Sequence, residues 1–170
     1  MSAVRSGSAS WSSEETFRSL FHRYYGSVFA YAARRLGRDE AGDAASEVFT
    51  VAWRSIRRIP EGSELPWLYG VARKVVANQR RSVARRLRLQ ERVRYAPPPP
   101  MVEERVDIDA VLASLSEADR EVLMLAAWEG LDPTGMGQVL GCTANAAAVR
   151  LHRARVRLSE AWGYDDGGVR

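Results

Sequence analysis

The stretch LDPTGMGQVLGCTANAAAVRLHRARVRL, residues Leu131–Leu158, is the most informative part of the sequence. Its first part has apolar residues at helical spacing: Met136, Val139 and Leu140. Gly141 can adopt the positive φ with which helices commonly end, and the Thr143 hydroxyl can cap a helix that follows. The stretch therefore predicts two short helices joined by a tight turn.

The second of these helices separates apolar from basic residues. An apolar stripe follows intervals of four, three and four residues: Ala147, Leu151, Ala154 and Leu158. Arginines occupy another face, at Arg150, Arg153 and Arg157, and no Asp or Glu occurs from Met136 to Leu158. This is the plan of a DNA-binding helix-turn-helix, although an arginine-rich surface helix of any helical bundle has the same pattern. In the first helix, Gly135 and Gly137 are expected to cost about 1 kcal/mol each relative to alanine.

Charge is distributed unevenly along the 170 residues, whose net charge is +4. Residues 80–94 contain seven arginines and one acid, whereas residues 101–135 contain nine acids and two arginines. Two basic segments separated by an acidic one predict two contacts with a polyanion. The preference for arginine, 24 residues against one lysine, suits phosphate and guanine recognition but is equally expected from a GC-rich genome.

The composition and the motifs do not support several classes of protein. Cys142 is the single cysteine, and His22 and His152 are too far apart in the chain to suggest a metal site. We find no phosphate loop, catalytic triad spacing or paired carboxylates, so we expect neither an enzyme nor a cofactor. No apolar run is long enough to span a membrane and no signal peptide is evident, so we expect a cytoplasmic protein without membrane insertion.

Periodicity predicts an all-α protein of two small helical domains joined by a proline-rich linker, the second containing the helix-turn-helix. Residues 1–11 are expected to be disordered, and residues 163–170 are expected to form a frayed tail. Helices near 12–36, 40–59 and from 67 onward form a first domain, residues 12–94, and Ser12 with Glu15 fits a capping box at the start of the first helix. Pro97 to Pro100 prevent a helix and mark a linker, residues 95–106. The second domain is residues 107–162. Ser116 is expected to cap a helix that buries Val122, Leu123, Leu125 and Ala126 and stops at Gly130.

The order of these parts resembles a bacterial RNA polymerase sigma factor of the sigma-70 family. The blocks that carry the resemblance are WLYGVARKVVANQRR, LASLSEADREVLMLAAWEGL and the final RLHRAR. A chain with only these two domains looks like the extracytoplasmic-function (ECF) group. The resemblance implies a region 2 domain for the −10 promoter element and a region 4 domain for the −35 element.

The resemblance implies a first interface with the β′ clamp helices of core RNA polymerase. The family motif resembling DLVQEVF corresponds here to Asp43-Ala44-Ala45-Ser46-Glu47-Val48-Phe49, with alanines in place of leucine and valine. The expected polymerase-binding residues are Asp43, Ser46, Glu47, Phe49 and Trp53.

For the −10 element, the resemblance points to the loop after Ile59 and the helix that follows. A proline-glycine loop can form a pocket for a flipped base, while basic side chains hold the strand. The expected residues are Glu61, Gly62, Ser63, Tyr69, Lys74, Asn78, Arg80 and Arg81. Trp67 is expected to lie in the core.

For the −35 element, the expected residues are Thr143, Asn145, Ala146, Val149, Arg150, Arg153 and Arg157. Three consecutive alanines, Ala146 to Ala148, replace a polar run of the family, so we expect binding to depend more on DNA backbone and shape than on base hydrogen bonds. His152 is expected to be packed or capping.

The implied partners are core RNA polymerase, through the β′ clamp helices and the β flap, and promoter DNA, with an anti-sigma factor as a further candidate. The alternative is a stand-alone helix-turn-helix regulator that binds duplex DNA.

Overall fold

The computed structural model describes residues 13–90 and 108–162, which form seven α-helices. Helices α1 to α3 span Ser13–Leu36, Arg38–Arg54 and Glu64–Gln90, and a 3-10 turn, Ile56–Arg58, lies between α2 and α3. Helices α4 to α7 span Ile108–Ser114, Glu117–Ala127, Pro133–Leu140 and Ala144–Ala161. No strand occurs in these two ranges, and the all-α expectation is confirmed.

Packing divides the described residues into a first unit, which ends at Val76, and a second unit, which begins at Ala77, so the boundary lies inside α3. The predicted linker, residues 95–106, lies outside the described ranges, as do the predicted tails and the capping residue Ser12.

The first unit is built on the packing of α1 against α2. Gly37 separates the two helices with φ +94°, a conformation that favours glycine, and its N–H donates to the Ala33 carbonyl at 3.0 Å. The buried face of α2 is rich in alanine: Ala41, Ala44, Ala45 and Ala52 are at most 1% exposed. Small side chains allow a close approach between neighbouring helices. The alanines that replace family residues at 44 and 45 thus belong to the core of this unit.

The segment between α2 and α3 differs from the prediction. The second helix ends at Arg54 rather than Ile59, and α3 begins at Glu64 rather than Trp67. Apolar side chains of α3 complete the core of the first unit, namely Leu68, Ala72, Val75 and Val76.

In the second unit, α5 begins where the sequence predicts. The Ser116 hydroxyl accepts a hydrogen bond from the Asp119 N–H at 3.1 Å, which caps the helix. The helix ends at Ala127, three residues before the expected stop at Gly130. Its apolar side chains Val122, Leu123 and Leu125 are buried as expected, whereas Ala126 is half-buried.

The helix-turn-helix of α6 and α7 has a cap at each junction. Asp132 Oδ1 accepts from the Gly135 N–H at 2.7 Å, and Gly141 ends α6 in the left-handed region at φ +68°. Thr143 Oγ1 then accepts from the Ala146 N–H at 3.1 Å. The predicted turn and N-cap are therefore confirmed, and both fix the angle at which α7 leaves the turn.

Gly137 has a role that the sequence alone does not reveal. A Cβ at this position would lie 2.7 Å from the backbone oxygen of Cys142 and 3.3 Å from the nitrogen of Ala144. The turn thus passes directly over the α6 backbone, which requires a residue without a side chain. The expectation that Gly137 simply weakens α6 omits this packing requirement.

Candidate nucleic-acid interface

The outer face of α7 is exposed and basic. Asn145, Val149, Arg150 and Arg153 are exposed, Ala146 is half-buried, and Ala147 is completely buried. Because Ala147 packs in the core, only Ala146 and Ala148 of the alanine run affect the exposed surface. His152 is exposed, so the expectation that it packs in the core is wrong.

Arg157 is paired within the second unit. Its Nη1 lies 2.7 Å from Asp119 Oδ1, and the other oxygen of that carboxylate accepts from the Ser116 hydroxyl at 2.7 Å. The Asp119 side chain is only 14% exposed, so the pair is partly shielded from water. Arg157 thus links α7 to the start of α5, and its expected contact with DNA stays a prediction.

A second polar surface follows α3. Lys74, Asn78 and Arg81 are exposed at intervals of four and three residues, and Arg80 is half-buried. Arg81 Nη2 donates to Asn78 Oδ1, which holds these two side chains together. These positions form one polar stripe along the helix.

Tyr69 is not available to that surface. Its side chain is 3% exposed, and its ring stacks on Tyr31 with centroids 5.2 Å apart. The Arg35 guanidinium also lies over the Tyr31 ring, 3.5 Å from the centroid. Tyr69 thus belongs to a buried stack, and its expected contact with DNA is wrong. Trp67, expected in the core, is half-buried.

The loop between the 3-10 turn and α3 is a tight turn with a glycine at its tip. The Ser63 N–H donates to the Pro60 carbonyl at 3.1 Å, and Gly62 has φ +77°. Glu64 Oε1 accepts from the Gly62 N–H at 3.0 Å, so the first carboxylate of α3 holds the loop. Glu61 and Gly62 are exposed and Ser63 is half-buried.

This loop closes a cavity of about 400 Å³ on the first unit, which we name the loop cavity. Its walls come from the first three turns of α1, from the 3-10 turn with the residue after it, and from the loop with the start of α3. The lining residues are Glu15, Thr16, Ser19, Leu20, Arg23, Tyr24, Ile56, Ile59, Glu61 and Glu64. Of these residues, the sequence pattern predicted only Glu61 in the loop. The polar residues Thr16, Ser19 and Arg23 follow one another at helical spacing on α1, and this spacing was the signal that could have indicated the α1 wall of the cavity.

The exposed face of α2 carries the acids expected to bind polymerase. Asp43, Ser46 and Glu47 are exposed, and the Ser46 hydroxyl donates to the Gly42 carbonyl at 2.9 Å. Phe49, in contrast, is 3% exposed and packs in the core. Its expected role as a surface contact is wrong.

Aromatic side chains surround Phe49 and reach the surface. Phe17, Phe21 and Tyr25 follow one another at intervals of four on α1, and each ring lies within 6.3 Å of the Phe49 ring. Trp53 is 47% exposed and packs its ring edge-to-face on Phe17 at 5.1 Å. The predicted Trp53 position thus lies on an aromatic surface shared by both helices, and Tyr25 was missed although its spacing from Phe21 indicated the same face.

The described ranges contain neither a candidate metal site nor a membrane-spanning helix. Residues 13–90 and 108–162 contain no group of three His, Cys, Asp or Glu side chains that could hold a metal ion. In the same ranges no helix has the length and apolar character needed to cross a membrane.

Two family models match the chain, Sigma-70 region 2 over residues 20–86 and Sigma-70 region 4 over residues 105–158. Among solved structures, the sigma factor RpoE in complex with the anti-sigma factor NepR from Bartonella quintana is 23% identical, with a TM-score of 0.66. That similarity covers 88% of this chain and 98% of that chain. CnrH in complex with the cytosolic domain of CnrY is 25% identical, with a TM-score of 0.60 over 88% of this chain and 89% of that one. No curated protein matches the sequence.

The fold and the two matched regions define a promoter-recognition subunit that has no catalytic activity of its own. The chain belongs to the sigma-70 family of RNA polymerase sigma factors, in the ECF group that the sequence resembles. Its partners are core RNA polymerase and promoter DNA. The region 2 match decides against a stand-alone regulator, which the helix-turn-helix alone left open.

Proposed function

We propose that residues 12–94 act as the region 2 domain and residues 107–162 as the region 4 domain, connected by a linker at 95–106. The family matches over 20–86 and 105–158 support this division. In this arrangement the chain joins core polymerase in the cytoplasm, where its DNA template lies. The first domain engages the −10 element and the second the −35 element.

The −35 contact is assigned to the outer face of α7. The observation that carries this assignment is the exposure of Arg150 and Arg153 on a capped helix that has no acid from Ala144 to Leu158. Asn145, Ala146 and Val149 line the same face, and Thr143 contributes by capping it. Two arginines among small and apolar side chains offer few bidentate partners for bases, so binding depends chiefly on phosphates and DNA shape.

This −35 assignment is tested with Arg150→Ala in electrophoretic binding to duplexes with the selected −35 sequence or a scrambled one. We expect a similar loss of affinity on both duplexes, because a phosphate contact is independent of sequence. A loss confined to the selected sequence would contradict recognition by backbone and shape.

The −10 contact is assigned to the loop and to the polar stripe of α3. Lys74, Asn78 and Arg81 lie on one exposed side of α3, with Arg80 next to them. Their three cations suit the phosphates of a melted strand, while Glu61, Gly62 and Ser63 of the loop face its bases.

Binding of core polymerase is assigned to the acidic face of α2. The β′ clamp helices contact the exposed residues of this face and its neighbour on the same helix, namely Asp43, Ser46, Glu47 and Trp53. In the second domain, the Trp128 side chain is 48% exposed, and we assign to it the apolar contact with the β flap.

The exposed aromatic surface of the first unit also supports regulation by an anti-sigma factor, since the similar RpoE and CnrH structures are complexes with NepR and CnrY.

The core assignment is tested by pulling down core polymerase with tagged full-length protein. Wild type is expected to retain core polymerase, and Trp53→Ala and Trp128→Ala are each expected to retain less of it. Unchanged retention by both variants would contradict these two contacts, while loss of retention by wild type would contradict the function itself.

A further inference from the structure

The basic face of α7 contains an arginine whose guanidinium already contacts an anion. At about 100° per residue, position 157 lies between positions 150 and 153 around the helix, and it follows Arg153 by about 6 Å along the axis. Arg157 thus extends the row of cations on the face proposed for −35 DNA. Its Nη1, however, lies 2.7 Å from Asp119 Oδ1, a carboxylate of α5.

The Asp119 carboxylate is held in place at the start of α5. Its Oδ2 accepts from the Ser116 hydroxyl at 2.7 Å, and its side chain is 14% exposed. It lies in the first turn of the helix, where the positive end of the helix dipole favours a negative charge. Because this carboxylate is already ordered, its pair with Arg157 avoids part of the entropy cost that weakens surface ion pairs.

A DNA phosphate needs the same guanidinium. Arginines strengthen DNA binding by neutralising phosphates and releasing counterions. A guanidinium paired with a carboxylate has no net charge to contribute, so a phosphate must displace Asp119 to gain Arg157. The Arg157 side chain is 53% exposed, so a phosphate can approach it from solvent once the carboxylate no longer holds it.

We propose that Asp119 keeps Arg157 away from the DNA backbone and thereby limits the affinity of the second domain for −35 DNA. Removal of this one negative charge adds a cation to the DNA-binding face. The inference rests on the proposed −35 contact of α7 and adds to it a residue of α5 that sets the strength of the contact without touching DNA.

The test is Asp119→Asn in holoenzyme made from core polymerase and the full-length protein. Asparagine has nearly the same shape as aspartate, and the backbone N–H of residue 119 still donates to the Ser116 hydroxyl, so the cap of α5 is retained. Affinity for a promoter duplex that the holoenzyme selects is measured between about 50 and 200 mM salt.

We expect Asp119→Asn to bind this duplex at least about threefold more tightly than wild type at the lowest salt. The plot of log K against log salt should steepen by about 0.9, the slope of one phosphate contact, so the advantage shrinks about three- to fourfold across the range. Urea unfolding should show that the same variant is less stable than wild type. A merely structural role of Asp119 predicts weaker binding together with weaker folding.

Two further variants separate release of Arg157 from a general loss of negative charge. Glu160 is an exposed acid of α7, three residues after Arg157. Glu160→Gln therefore removes the same charge nearby and is expected to leave the salt slope unchanged. In the double variant Asp119→Asn with Arg157→Ala, the gain in affinity and the steeper slope are both expected to disappear.

Unchanged or weaker promoter binding by Asp119→Asn would overturn the inference. An equal gain from Glu160→Gln, or a gain that persists in the double variant, would overturn it as well, and the −35 contact of α7 would stand in each case. Wild-type promoter binding that neither Arg150→Ala nor Arg153→Ala weakens would instead overturn the proposed −35 contact itself.

Discussion

At the scale of single residues, Gly137 determines how closely the turn of the helix-turn-helix can approach α6. Its missing side chain leaves room for the Cys142 carbonyl, which would lie 2.7 Å from a Cβ. We predict that Gly137→Ala lowers the free energy of unfolding of the second unit by about 1–3 kcal/mol, because backbone atoms must move. Urea unfolding and hydrogen exchange of α6 and α7 measure this change.

Gly26→Ala is the matched control for that substitution. Gly26 lies inside α1, and a Cβ added there would have no contact within 4 Å beyond its own helix backbone and chain neighbours. Alanine at this position should therefore stabilise the protein by about 0.5–1 kcal/mol. If both substitutions stabilised the protein equally, the close approach at Gly137 would be refuted.

Arg157 and Arg153 are predicted to differ although both lie on α7. Arg157 is paired with Asp119 at 2.7 Å, whereas Arg153 is exposed on the proposed DNA face. Arg157→Ala should lower the free energy of unfolding by about 0.5–1 kcal/mol, a modest value because the arginine is half exposed. Arg153→Ala should instead reduce the salt dependence of DNA binding by about one phosphate contact. An equal reduction in salt dependence by Arg157→Ala would show that the ion pair opens on DNA.

At the scale of helices, Arg120 of α5 stabilises the end of α4. Its guanidinium donates to the carbonyls of Leu112, Ala113 and Leu115 at 2.8, 3.2 and 3.1 Å. Leu112 and Ala113 lie in the last turn of α4 and Leu115 follows it, so these carbonyls are at a helix end, where the helix itself supplies few donors. Arg120→Ala is predicted to cost about 1–3 kcal/mol in urea unfolding, because charged hydrogen bonds are lost. Arg155→Ala, at an exposed position of α7, should change stability by less than about 0.5 kcal/mol; an equal effect would contradict this role of Arg120.

Helix α2 has two faces with separate functions. Phe49→Ala should destabilise the first unit by about 3–5 kcal/mol, since Phe49 is buried among aromatic rings. Glu47→Lys on the exposed face should leave stability nearly unchanged and weaken core polymerase binding on the order of tenfold, by a charge reversal at the interface. Parallel urea unfolding and core-binding titrations distinguish the two; normal core binding by Glu47→Lys would remove Glu47 from the proposed interface.

At the scale of the whole molecule, local chemistry explains which features the sequence could predict. Gly141, Thr143 and Ser116 act on backbone groups within a few residues, so their positions in the chain suffice to predict their roles. The misplaced residues depend on partners distant in the chain. Phe49 meets Phe21, and Tyr69 meets Tyr31, so neither pairing follows from helical periodicity alone.

The candidate site shows the same distinction. Periodicity predicts the apolar stripe of α7. Arg150 and Arg153 lie outside that stripe, so their exposure could be predicted as well. Periodicity does not predict the loop cavity, because α1 and the loop are about 40 residues apart in the chain. Arg157 lies on the predicted basic face, yet Asp119, 38 residues earlier, determines its pairing.

This chain directs core RNA polymerase to promoters, and we propose that it does so through two separate DNA contacts. The most direct test is run-off transcription from a library of bacterial promoter fragments, with core polymerase alone and with the protein added. We predict transcripts that appear only with the protein and that share a −10 and a −35 sequence. No added transcripts, together with no retention of core polymerase by the tagged protein, would contradict the claim.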